Sequence, residues 1–575
     1  MKKAVFLILS LSAFILVSCG GGGGGGGGNP PPPVTISISP TSPTVGGSNT
    51  QQFTATVGNT SNTAVTWQVE GIPGGNATVG TVSATGLYTA PFFIPANATV
   101  SVTAVAQADT SKSASATVTI VFSNAMLIGQ YAFSYVGWDP SFFTIAGSIS
   151  ANGNGAITGG VSDLNNSLGV STGLTLTGTY TASPDGLVEI LLTDSQPASY
   201  TLRAAMVSPD HLRVIQFDTT STGQGSIDWQ DPAAFNDAAF AGGYAFRLDG
   251  YGFTGYTAGI AGRMTADNAG NLTAGVMDIN ENYIDTNADV FTGTYTTIDA
   301  NGRGEVTLDT NQGLAVFAFY IASSGKVHLI SIDSIGLPWM LGVAEKQTPG
   351  FFSNANLSGD YAYFVSVYSS SASGIYYSAG RFTANGTGGV NAGVSDENDN
   401  GVTTENLAFT GTYSVDAFGD GRGTGIFTSA RGSSNFTFYM VSPSRALFVQ
   451  QGTFALGTGE VDAQTGGPYS TASLAGNFGI SMDGYPSMLV GQFEAAGGTT
   501  SGTVHLTTFD NTGSVLTLTP DQAFSATYSV TANGRGDFTV SDNPPITFHL
   551  YMVSGSKVHL IGMSDVFLGT AEMQY

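Results

Sequence analysis

The sequence predicts an all-β protein: one β-sandwich followed by four tandem eight-stranded meander units that close into up-and-down barrels. Three observations predict it. Glycine, at 79 of 575 residues, is about twice its usual share, and charged residues are only 10%. Short β-prone runs alternate with turn-rich stretches, and no helical spacing of apolar residues exceeds two turns after residue 20. From residue 124 onward the chain repeats itself four times.

The chain opens on Met1-Lys2-Lys3 and an apolar run, Ala4–Val17, too short for the roughly 20 residues that cross a bilayer. The run ends on Leu16-Val17-Ser18-Cys19, which resembles the lipobox of bacterial lipoproteins. That resemblance implies a signal peptide over 1–19, cleavage before Cys19 and acylation of its thiol. Gly20, where the best-known sorting rule places Asp for inner-membrane retention, implies an outer-membrane destination. Several acyl chains at about 0.8 kcal/mol per buried methylene make a firm anchor. Cys19 is the only cysteine, so no disulfide framework can form. Residues 20–33, Gly20–Gly28 and then Pro30–Pro33, read as a tether: a random coil followed by a stiff extended segment.

Residues 34–122 contain five strand candidates, Val34–Ser39, Gln52–Val57, Ala64–Val69, Thr99–Ala106 and Ala114–Val121. The stretches Thr63–Val69 and Gly80–Pro91 resemble the bacterial Ig-like domains of surface proteins, which implies a sandwich serving as spacer or adhesive module. Trp67 is then a core residue.

The four units span 124–230, 236–347, 351–462 and 470–575. Each opens on an aromatic strand at Tyr131, Tyr244, Tyr361 and Phe478, spaced 113, 117 and 117 residues apart. A mid-unit strand recurs at Thr177–Tyr180, Thr292–Tyr295, Thr410–Tyr413 and Ser525–Tyr528. An Asn/Asp-Gly-Arg-Gly turn follows at Asn301–Gly304, Asp420–Gly423 and Asn533–Gly536, but the first unit has Asp185-Gly186-Leu187 instead. The second unit shows eight strand candidates joined by short connections. Eight meandering strands can close first against last and leave no edge, with an outline like avidin or lipocalin barrels; a two-sheet sandwich is the alternative. Units of this size fold singly, so the expectation is beads on a string.

Without Lys2 and Lys3 the chain keeps 14 basic against 40 acidic residues. Such a polyanion is repelled by phosphate backbones, which excludes nucleic acid as a partner. Enzymatic signatures are absent: Gly169–Gly173 matches a nucleophile-elbow pattern but lacks its strand–helix setting, and no phosphate or dinucleotide loop is present. The histidines His211, His328, His505, His549 and His559 form no metal-ligating pair and read as polar strand residues. Arg303, Arg422 and Arg535 read as turn residues, with a carboxylate or glycan contact as the alternative. No catalytic residue stands out.

One oxygen-rich pattern does. Asp163/Asn165/Ser167, Asp278/Asn280/Asn282 and Asp396/Asn398/Asn400 follow the third strand of three units, while the fourth carries only Asp510-Asn511. Alternate side-chain oxygens can wrap a weakly held calcium ion, the one cofactor the sequence offers, and the same residues are favoured by hairpin turns. The expected function is a lipid-anchored envelope protein for adhesion or multivalent binding of a polysaccharide, surface polymer or cell. The alternatives are barrels that carry a small apolar ligand, or a structural stalk.

Overall fold

A computed structural model describes residues 31–574 apart from 96–97, 139–140, 219–220, 334–337, 370–373, 453–454, 485–486, 498–500, 511–516 and 543. The expected signal segment, Cys19 and the glycine tract lie outside the described residues. No helix among those described is long and apolar enough to cross a membrane.

Residues 35–121 form three small sheets around one core. The five expected strands are all present, with Thr99–Ala106 paired centrally between Ser113–Val121 and Val65–Val69. Trp67 is buried in that core beside Phe53 and Tyr88.

Each repeat is a closed eight-stranded antiparallel barrel in which every strand pairs with the next and the eighth with the first. The first strands are Ile128–Trp138, Gly242–Tyr251, Ser358–Ser369 and Ala475–Gly484, and the last are Thr222–Trp229, Trp339–Lys346, Ala455–Ala463 and Phe567–Met573. Period-two alternation decides what goes inside. In the second barrel Tyr244, Phe246 and Leu248 point inward, where they meet Phe291, Phe317 and Phe319. All four interiors are lined by such clusters.

The barrels are not separate beads. The first two strands of each pack on the sixth to eighth strands of the next, and those of the fourth pack on the same strands of the first. One head-to-tail contact repeated four times therefore closes a ring with pseudo-fourfold symmetry. Because each barrel has an even number of strands, the chain enters and leaves on one face of the ring. The N-terminal β unit is seated on that linker face: Ile94 packs against both cores, and Phe122 N–H donates to Pro184 O at 3.2 Å.

Candidate functional site

Three layers of contact build each joint of the ring. The first uses the linkers. Gln230 Nε2 donates to Asn301 O and Ile321 O of the second barrel at 2.9 and 2.7 Å. Gln347 reaches Asp420 O and Met440 O, and Gln464 reaches Asn533 O and Met552 O. Gln574 Nε2 donates to Met206 O of the first barrel at 2.8 Å, so the last unit supplies the first with the same cap.

The second layer contains the residues offered above to calcium. Asp163 is fully buried, and its carboxylate accepts Arg303 Nε and Nη2 at 2.8 and 3.1 Å, Tyr320 OH at 2.7 Å and Gly173 N at 2.9 Å. Asp278 accepts the same set from Arg422, Tyr439 and Ala288, and Asp396 from Arg535, Tyr551 and Asn406. Each arginine and tyrosine belongs to the next barrel, so the arginines make the carboxylate contact rather than serving the turn alone. A bidentate guanidinium with a phenol satisfies a buried carboxylate. Asn165, Asn280 and Asn398 are equally buried and donate to Ser331 O, Gln450 O and Gly562 O across the same joints. Asn282 and Asn400 occupy hairpin turns with φ of 51° and 50°, the left-handed region that asparagine tolerates.

At the fourth joint this layer changes chemistry on both sides. The aspartates pair in register with Ala146, Ala261 and Ala379; the fourth barrel has Thr507 opposite Val490 at that place. Arg303, Arg422 and Arg535 pair with Tyr320, Tyr439 and Tyr551; the first barrel has Leu187 opposite Ala205. Ala205, Ile215, Met488 and Val490 form a buried apolar cluster with Leu187 packed on it.

The third layer surrounds the ring axis and is present at all four joints. A carboxylate on the last strand of each barrel meets cations on the seventh strand of the next. Asp228 accepts Lys326 Nζ at 2.7 Å, Glu345 takes Arg445 bidentately at 2.6 Å, Asp462 accepts Lys557 Nζ at 2.8 Å, and Glu572 accepts Arg213 Nη2 at 2.9 Å. Burial pushes Asp228, Asp462 and Glu572 up, but their cations win and hold all three well below the ordinary range. His328 and His559 sit buried in this layer, and burial lowers both imidazoles. His211 lies between Asp228 and Glu572, which together outweigh its burial and raise it.

The axis opens into two spaces. On the linker face a recess of about 540 Å³ is lined by His211, Arg445, Lys557 and Asp462. Further in, a space of about 310 Å³ is walled by all four barrels and includes Arg213, Arg247, Asp249, Glu460 and Asp483. Among the described residues no group of three or more His, Cys, Asp or Glu is placed to hold a metal ion.

The opposite face is a rim of hairpins. Three neighbouring barrels expose an aliphatic side chain at the tip of the third-to-fourth-strand hairpin: Leu168 at 95%, Ile284 at 69% and Val402 at 67%. Tyr256 and Leu314 extend the same rim on the second barrel.

Sequence reasoning finds the aspartates and arginines but not their pairing, and misses the tyrosines, glutamines and axial carboxylates. The available signal is recurrence, as in Gln230, Gln347 and Gln464 at a spacing of 117 residues.

No family model and no curated protein matches the chain. Among solved structures, a transferrin-binding protein B of Haemophilus parasuis is 9% identical, with 68% of this chain on 84% of that one at a TM-score of 0.16. The isotype 1 protein of the same name from serogroup B Neisseria meningitidis is 9% identical over 58% and 76%, at a TM-score of 0.17. Likeness at that level says nothing of what this chain binds.

Proposed function

We propose that the chain is a lipid-anchored cell-envelope binding protein whose four-barrel ring presents its hairpin rim to an extracellular protein. The observation that carries this reading is the repeated exposure of Leu168, Ile284 and Val402 at matching hairpins of one ring. Isolated exposed apolar residues are ordinary, but three on the same hairpin of adjacent modules make a multivalent surface in which each weak contact adds to the others. The rim lies opposite the face that carries the N-terminal unit. An anchor at Cys19, the glycine tether and an Ig-like spacer would therefore hold the rim outward. Aliphatic tips suit a protein surface better than a polysaccharide, whose recognition relies more on polar and aromatic groups. Among the described residues, the joint carboxylates Asp163, Asp278, Asp396, Asp228, Asp462 and Glu572 are engaged by arginine or lysine.

The test is binding of the chain from Asn29 onward to arrays of extracellular proteins and polysaccharides. Saturable protein binding is expected, with a weakening of at least tenfold in the triple variant Leu168→Ser, Ile284→Ser, Val402→Ser at unchanged thermal midpoint. Polysaccharide binding, or protein binding indifferent to the triple change, would sink the proposal.

A further inference from the structure

The four barrels share a fold but not an interior, and the third is the exception. At the inward position of the fifth strand the others carry Ile190, Val306 and Phe538, each at most 4% exposed; the third carries Gly425. A Cβ built there would meet nothing nearer than 3.7 Å, and φ is not in the left-handed region, so neither a close approach nor the backbone demands glycine. The missing side chain leaves an apolar cavity of about 50 Å³ lined by Phe382, Phe427, Phe436, Phe438 and Phe448.

A second departure adjoins it. Tyr363, Phe427 and Phe436 also line a polar space of about 30 Å³ that includes Ser378, Ser395, Glu397 and Gln450. Where Ser378 and Glu397 stand, the first two barrels have Ile145 and Leu164, and Ile260 and Ile279. Arg431 reaches Glu397 from the rim at 2.9 Å and Tyr376 hydrogen-bonds to it, while burial pushes its carboxyl up. Gln450 is 7% exposed, and its Oε1 has no hydrogen-bond partner. A buried amide oxygen without a partner is costly, and here it faces open space rather than packed core.

We propose that the interior of the third barrel is a binding site for a small amphipathic molecule with a single-ring or short branched apolar body and a hydrogen-bond-donating amine head. The body fills the space opened by Gly425 among the phenylalanines. The amine donates to Gln450 Oε1 and lies against the Glu397 carboxylate, so charge selects for it and against an acid of the same shape. A cation enclosed by aromatic rings gains further attraction. The first two barrels are filled at these positions, and the fourth carries Phe538 where the third has Gly425.

Calorimetric titration of the chain from Asn29 onward, which keeps every described residue, tests this with benzylamine, toluene and benzoate. Benzylamine is expected to bind at one site per chain at least tenfold more tightly than toluene, and benzoate not at all. Gly425→Val, which installs the side chain of Val306, is expected to abolish benzylamine binding while leaving the thermal midpoint equal or higher. Glu397→Gln is expected to bring benzylamine down to the level of toluene. Absence of binding by all three probes, benzylamine binding that survives Gly425→Val, or equal binding of benzylamine and toluene would each overturn the proposal. None of these outcomes touches the rim, so the two readings fail separately.

Discussion

Asp483 carries the clearest pH signature of any residue on the ring axis. Its carboxyl faces the axial space, where burial, aided by the charge of Asp249 and opposed by the Tyr377 hydroxyl, raises it to about 6. An unfolded aspartate titrates near 3.9. The folded chain therefore holds this proton more tightly than the unfolded one, and the associated stability is full below about pH 4 and lost as pH rises through 6. Asp483→Asn mimics the protonated form at every pH. It is expected to raise the urea midpoint at pH 7.5 and to leave it unchanged at pH 4, and an advantage independent of pH would show that ionisation is not the cause. Asp228 and Glu572 have the opposite sign. Their cations hold them low, so the joints they close weaken as pH falls through the carboxylate range.

The strands of the joints show how far the sequence could be read. The strand count, the meander order, the barrel closure and the turns at Asn282 and Asn400 follow from local patterns of alternation and turn chemistry. The joints do not, because Asp163, Asp278 and Asp396 find their arginines 140, 144 and 139 residues away, in the next unit rather than their own. A local oxygen-rich pattern looks the same whether it wraps a cation or meets a guanidinium. Two irregularities did mark the fourth joint: Leu187 replaces the turn arginine in the first unit, and the fourth unit lacks the aspartate. They concern one contact seen from its two sides. Removing one partner of a buried ion pair typically costs 3–5 kcal/mol, whereas replacing all partners by apolar groups can be neutral. Asp278→Ala is therefore expected to destabilise the second–third joint by about 3 kcal/mol in urea unfolding. The triple change Asp278→Thr, Arg422→Leu, Tyr439→Ala, which copies three of the four differences at the fourth joint, is expected to recover most of that loss. A triple variant no more stable than the single one would mean that the apolar joint depends on other contacts.

At the scale of the molecule, the expectation of beads on a string fails because each unit spends one flank on its predecessor and the other on its successor. Small-angle scattering separates the two arrangements. Barrels with a radius of gyration of about 13 Å each give about 28 Å when four touch in a square and about 40 Å in a row. The four units expressed together without the N-terminal segment are expected to give the smaller value, and the larger would refute the closed ring.

The mismatched joint also governs what copies of this chain do to one another. A row of units bearing an aspartate flank on one end and an arginine flank on the other would be self-complementary, and head-to-tail addition of further chains would produce filaments. Here the terminal flanks are apolar at Val490 and Met488 on one side and at Leu187 and Ala205 on the other, and they match each other rather than the Asp–Arg flanks. A chain that closes on itself leaves no sticky end, and a chain caught open matches only the ends of another open chain, not the Asp–Arg flanks inside a ring. The seam thus fixes the register of any exchange between copies: it runs end to end and leaves the three internal joints paired as they are.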